Sequence, residues 1–262
     1  MTLRWPDMIG RFKFNDIESD IFDLVCKSVK RPLLPAVKVK RIDLPSLSGV
    51  YDFDDHEYSL RPLAMRIAYI GTNYEELRSR ARDISAWLST PVWAKLIIHD
   101  EPDKYYLAKV TDAIDLQCFF EAGYAELTFG CQPFAYAVEE STVIFQATSA
   151  KNQTFSNPGT RLINFRSPYG SKFLIKITGT WATLTLAMNG KTLNYTEAKS
   201  GGGIVIVDNI EMEVSLGGVN KFNVLTGDID TFLHILPGNN TLSVSGVNLN
   251  IGVTIEFAPM WL

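Results

Sequence analysis

Little in this sequence could cut, ligate or cycle electrons. Three cysteines occur in 262 residues, Cys26, Cys118 and Cys131. They are odd in number, far apart and without Cys-x-x-Cys spacing, so neither a disulfide framework nor a zinc site is suggested. Small buried apolar side chains are the expected role. The histidines, His56, His99 and His234, are scattered. No His-Glu-x-x-His or Gly-x-Ser-x-Gly motif occurs, so zinc-dependent and nucleophilic hydrolysis have no support. Gly201-Gly202-Gly203 follows Lys199-Ser200 but lacks the Gly-Lys-Ser/Thr order of a phosphate loop, and reads as a hairpin end.

Long apolar runs are also missing. No stretch of about eighteen apolar residues is present, and Met1 to Asp7 lacks the apolar core of a signal peptide. The expectation is a soluble protein made and kept in a cytosol, with no membrane insertion. Basic excess is absent as well: 25 Lys and Arg face 29 Asp and Glu, for a net charge of −4 and a pI near 5.5. Tight binding to nucleic acid or to anionic membrane depends on cations that neutralise phosphates. Any contact with DNA is expected to be loose.

What is present divides in two. The first 138 residues mix strand patterns with one helix, whereas 139–262 hold 13 of the 18 glycines and are crowded with Asn and Thr. Such a composition suits short strands joined by tight turns. The expected domains are 1–138 and 139–262, with the crossing at Glu139 to Asn157.

In the first domain, Thr72 and Glu75 have capping-box spacing. Leu77, Ala81, Ile84 and Leu88 then form one apolar stripe, and Pro91 stops the helix. Strands are expected at Ala36 to Leu44, Ser59 to Tyr69, Ala94 to His99, Tyr105 to Asp112 and Gly123 to Cys131. Pro45 to Glu57 is a long acidic connection, and a loop of that length is usually functional or an interface element. In the second domain, period-two alternation marks strands at Phe173 to Ile177, Ala182 to Met188, Ile204 to Val207, Glu211 to Val214, Thr241 to Val244 and Leu249 to Phe257. Asn189-Gly190 is a two-residue hairpin turn, and Gly217-Gly218 and Pro237-Gly238 mark further turns. Strands so short and evenly spaced indicate a β-sandwich.

Candidate chemistry is thin. Asp52, Asp54, Asp55, His56 and Glu57 are the densest set of potential metal ligands, but the Asp-x-Asp-x-Asp-Gly spacing is absent and an exposed acidic loop is the better reading. Asp100, Glu101 and Asp103 invite an acid/base role yet fall on a predicted hairpin turn, where Asp is expected for its turn chemistry. Trp181, Tyr195, Phe222, Phe232 and Trp261 could offer stacking faces to sugar rings, with Trp181 and Trp261 the candidate glycan contacts. Aromatics of a sandwich are more often core. No catalytic residue, cofactor site or metal site is expected.

Three local signals follow one another in an informative order: the helix from Asn73 to Leu88, the hairpin from Leu96 to Tyr106, and the strand from Gly123 through Cys131-Gln132-Pro133 to Tyr136. Upstream stand Phe14 to Phe22, with Asp16 at a position more usually Gly, then Arg31-Pro32 to Pro35 and Leu44-Pro45 to Asp52. Downstream come Asn157-Pro158-Gly159, Leu236-Pro237-Gly238-Asn239 and Phe257 to Leu262. In that order the chain resembles the distal tail proteins of long, non-contractile-tailed bacteriophages.

The resemblance implies a mainly β chain. An α+β N-terminal domain, a tail-tube-like β-sandwich or split barrel with one helix, is followed by a galectin-like or carbohydrate-module-like β-sandwich. It also implies a structural virion protein at the tail tip, assembled in the host bacterial cytoplasm and not an enzyme. Its partners would be five further copies in a homohexamer, the tail tube protein, a tail-associated spike or lysin, and receptor-binding proteins, with DNA passing through the ring. Between neighbours, Tyr51 and Phe53 are expected to anchor the Pro45 to Glu57 segment, with Asp54 and Asp55 facing Lys38, Lys40 or Arg41. A carbohydrate-binding protein using the second sandwich is the alternative.

Overall fold

The computed structural model describes residues 10–39, 41–43, 48, 50–52, 57–70, 74–112 and 124–262. The chain is mainly β and divides into two compact units, Met1–Ala135 with Leu262, and Tyr136–Trp261.

The first unit begins with β1 (Phe12–Phe14) and β2 (Ile17–Glu18), joined through Asn15 and Asp16. Both turn residues are left-handed, with φ of 49° and 62°. A two-residue hairpin turn needs positive φ at both central positions, and Asn and Asp reach it at less cost than other side chains. Asp16 therefore does the work expected of glycine. A single 3-10 turn, Ser19–Phe22, leads to β3 (Leu24–Lys30). Then follow β4 (Arg41–Asp43), β5 (Val50–Asp52), β6 (Arg61–Tyr69), α1 (Tyr74–Leu88), β7 (Ala94–Ile98), β8 (Lys104–Val110) and β9 (Ala125–Ala137).

Strand order in the main sheet is β2-β1-β7-β8-β9-β6-β3. The sheet curls until Gly10, just ahead of β1, exchanges two backbone hydrogen bonds with Cys26 of β3, at 3.1 and 2.7 Å. Closure hides edges that would otherwise template aggregation. Inside lie Phe12, Phe14, Leu24, Cys26, Leu63, Met65, Ile67, Leu96, Leu127, Phe129 and Cys131, all fully buried. The helix closes this core with Ile84, Trp87 and Leu88. Trp87 stacks on Phe12 and Phe22 with ring centroids 5.6 and 4.8 Å away, and its indole N–H donates to the Phe14 carbonyl at 2.9 Å. Ile84 and Leu88 follow the predicted stripe; the Thr72 cap, the Leu77 side chain and Cys118 lie outside the described residues. Burial pushes the Cys26 thiol up to about 12 and the Cys131 thiol higher still, which leaves both as neutral packing groups.

The second unit contains β10 (Ser141–Ala147), β11 (Lys151–Asn157), β12 (Phe173–Thr180), β13 (Thr183–Met188), β14 (Lys191–Tyr195), β15 (Val205–Asp208), β16 (Glu213–Leu216), β17 (Val219–Asn220), β18 (Leu225–Gly227), β19 (Gly238–Val247), β20 (Asn250–Phe257) and β21 (Met260–Trp261). The first eleven of these form two sheets, β10-β20-β12-β15-β16-β17 and β11-β19-β13-β14-β18, and β21 pairs with β9. Alternate residues such as Phe173, Ile175, Ile177, Leu184, Leu186, Leu242, Val244, Val253 and Ile255 are buried, the period-two pattern of a sandwich. Asn189-Gly190 turns with φ of 49° and 80°, and Gly217-Gly218 with 57° and 83°.

Two sequence expectations fail here. Glu139 to Asn157 is not a crossing between domains: it contains β10 and β11, each the edge of a different sheet. An edge strand pairs on one side only and tolerates polar residues that blunt it, so its composition imitates a linker. Phe145 and Phe155 are nonetheless buried. Pro45 to Glu57 is likewise not one open loop, because β5 within it pairs with β4.

Two of the quoted motifs acquire a physical reason. A Cβ on Gly159 would stand 2.6 Å from the Met260 carbonyl oxygen, so glycine is required for that approach. Asn157 Oδ1 accepts from the Gly159 amide at 3.0 Å, and Thr160 and Arg161 donate to Met260. In the Leu236 to Asn239 turn, the next residue, buried Asn240, accepts from Leu236 N and Asn189 Nδ2 and donates to the carbonyls of Leu236 and Gly238. Its whole amide is satisfied, which a buried amide requires.

Candidate assembly surface

An arm leaves the first unit between β3 and β6. Its two runs are antiparallel: Ser59 donates to Ala36 and Lys38 to Glu57, both at 2.7 Å, Val37 bridges Tyr58, and further out Arg41, Ile42 and Asp43 pair with Asp52, Tyr51 and Val50. At the base the Tyr58 ring meets Phe134 edge-on with centroids 5.7 Å apart. The approach to the arm is apolar and exposed. Leu33 is 90% exposed and Leu34 61%, and Val37 and Val39 are also exposed. Such a run has a high hydration cost, the kind of apolar exposure that is common at interaction surfaces.

Of the expected interface residues, Arg41 and Tyr51 stand at neighbouring register positions on the two strands of this arm. Lys38 Nζ lies 3.3 Å from Glu57 Oε2 of its own chain, both side chains being well exposed. An exposed pair of this kind contributes at most about 1 kcal/mol and exchanges readily. Lys40, Phe53, Asp54, Asp55, His56 and the Asp52 side chain lie outside what the structure describes; among the described residues no group of His, Cys, Asp and Glu is placed to hold a metal ion.

Asp100 and Glu101 serve as ion-pair acceptors. Arg31, at the end of β3, reaches Asp100 Oδ1 at 2.5 Å and Glu101 Oε2 at 3.2 Å. Burial works against the Arg31 charge, but the hydrogen bond to Asp100 and the nearby negative groups outweigh it and hold its pKa above the ordinary value. Lys104 stands 3.5 Å from Glu101 and 3.3 Å from Asp103. This group fixes the β7–β8 turn to the start of the arm.

The aromatic stacking faces are mostly core. Trp181 is 3% exposed, its ring is met edge-on by Tyr195 at 5.5 Å, and its N–H donates to the Glu197 carbonyl at 3.1 Å. Lys199 Nζ sits 5.3 Å from the same ring and donates to Gly179 and Gly201 carbonyls. A sugar has no face of Trp181 to stack on, which corrects that expectation; Trp261 is half-buried. Tyr195 and Phe232 are also buried.

Two features escaped the sequence reading. Val37 and Val39 are exposed although they lie in the predicted strand Ala36 to Leu44, and the exposed Leu33 and Leu34 lie in the Arg31 to Pro35 stretch just ahead of it. Arg61 falls in register with Leu63, Met65 and Ile67 at i, i+2, i+4 and i+6, so a charged residue on the buried face of a strand was the available signal.

Residues 25–131 match the family model described as the phage tail protein RIFT-related domain, and residues 167–261 match the one described as the siphovirus-type tail component, C-terminal domain. Among solved structures, the fold is similar to that of SPP1 Dit (gp 19.1), presented as a paradigm of the hub adsorption apparatus in phages that infect Gram-positive hosts. The TM-score is 0.72 at 15% identity, over 96% of this chain and 99% of that one. No curated protein sequence matches the chain.

Proposed function

The chain belongs to the siphophage distal tail protein family, and from that membership we propose that it is the hub of the tail tip. The family is one of phage tail structural proteins and not of enzymes, so a member is part of the virion. In this reading six copies close a ring, with the first domain, 1–138, lining the channel for DNA and the galectin-like second domain, 139–262, facing outward. The ring joins the tail tube to a spike or lysin and carries receptor-binding proteins, after assembly in the host cytoplasm. A head-to-tail interface that closes on rotation yields a ring. Mild acidity lets a polyanion pass without sticking.

The observation that carries this reading is the order of the two matches. The tail RIFT-related match falls inside one compact unit and the siphovirus-type C-terminal match inside the other. The arm is the proposed contact between neighbours, with Leu33, Leu34, Val37 and Val39 supplying apolar area beside Tyr51 and Phe53, and Asp54 and Asp55 meeting Lys38, Lys40 or Arg41. Apolar anchors carry most interface energy, and rim charges tune register. Electron microscopy of the purified protein is expected to show six-fold rings; a protein that stays monomeric at high concentration would overturn the proposal.

A further inference from the structure

Arg61 opens β6, with its side chain on the buried face of that strand beside Leu63 and Met65, and it is 4% exposed. Its partner across β9 is the fully buried Cys131. The guanidinium lies over the Tyr106 ring, with Cζ 5.9 Å from the centroid, and donates to the Tyr106 hydroxyl. Its Nε and Nη2 are enclosed and, among the described residues, have no hydrogen-bond partner. Asp100 and Glu101, the acids of the β7–β8 turn, are engaged by Arg31.

Nε and Nη2 are not an arbitrary pair. Their N–H bonds run parallel along one edge of the guanidinium, the edge that grips a carboxylate with two bonds. A buried charge with that edge empty is costly, and native proteins leave few buried donors unpaired. A halide is a single centre on which two parallel N–H bonds must converge; a planar two-oxygen anion gives each its own acceptor.

We propose that Arg61 is the receptor for one carboxylate, seated on Nε and Nη2 at this end of the barrel. The carboxylate comes either from an Asp or Glu side chain of a second copy or from a small free carboxylate. The site itself does not depend on the proposed ring. Because both nitrogens are enclosed, occupancy requires side chains to move. The nearest candidates to move are the partly exposed Arg31, Asp100 and Glu101 side chains, whose mutual contacts are ion pairs.

The test is a melting series of the full chain in sodium formate against sodium chloride at equal ionic strength. Formate is expected to raise the wild-type melting temperature above the chloride value, and Arg61→Met to lose that response. In chloride, Arg61→Met is expected to melt above wild type, since it removes an unpaired buried charge. A lower melting point for Arg61→Met together with no formate effect on wild type would overturn the proposal, because the guanidinium would then be paired within its own chain. Should Arg61→Met fail to fold, the Arg61 Nε–H proton resonance of the wild type decides: a shift on adding formate supports the site and an unmoved resonance overturns it. Sedimentation identifies the source. Multimers that dissociate in formate draw the carboxylate from a second copy; stabilisation with unchanged multimers assigns it to a free carboxylate.

Discussion

Glu256 shows how single residues set stability in the second unit. It reaches Lys176 at 2.5 Å and Lys172 at 3.1 Å, and Lys172 also meets Glu140 at 2.5 Å. The hydrogen bond from Lys176 holds the Glu256 carboxyl below its usual range, opposed by burial and reinforced by Lys172. A depressed folded-state pKa contributes stability above the unfolded carboxylate value of about 4.3, and that contribution disappears as pH falls through the lower folded value. Glu256→Gln is therefore expected to cost about 1 kcal/mol at pH 7. Its melting temperature should converge with wild type as pH drops toward 3, and an equal deficit at both pH values would disprove this. At this scale the sequence is least legible. Nothing local to Trp181 announces that Tyr195, Glu197 and Lys199 enclose it, because Lys199 is brought to it by a cross-strand bridge and not by spacing.

Elements were legible where one face is buried and the other is not. The period of 3.6 in α1 and the period of two in β12, β13, β19 and β20 are written in the residues. Asn189-Gly190 marks its turn because only a few residues tolerate left-handed φ. Three kinds of element were not legible. Strands β1 and β2 are short, and Asn15-Asp16 lacks the glycine that flags a hairpin. The edge strands β10 and β11 read as linker. The arm reads as loop plus strand because its Leu and Val residues are buried by nothing in the described chain. This last case gives a prediction. Leu33→Ser with Leu34→Ser replaces side chains already in water, so the monomer should keep its unfolding free energy within about 0.5 kcal/mol of wild type. If the arm joins neighbours, the same variant should shift light-scattering mass from multimer to monomer; an unchanged mass would remove the arm from the interface.

At the scale of the molecule, the two units close in different ways. The strand path β2-β1-β7-β8-β9-β6-β3 is complete once β9 ends at Ala137. The second unit opens with β10 and β11, and these pair with β20 and β19, the strands that come almost last. Ser141 waits for Phe257, and Lys151 for Val244. During synthesis the sandwich therefore has no partner for its leading strands until nearly the whole chain has left the ribosome, and long-range pairings of this kind form slowly. A chain ending at Asp230 is expected to leave a protease-resistant fragment from the first unit alone; a resistant fragment that also contains residues 141–230 would contradict this. The polarity of β10 and β11 then acquires a second meaning. Strands that must linger unpaired during synthesis are protected by the Lys, Gln, Asn, Ser and Thr that disguise them as linker, and apolar replacements there should lower the yield of soluble protein before they alter the finished fold.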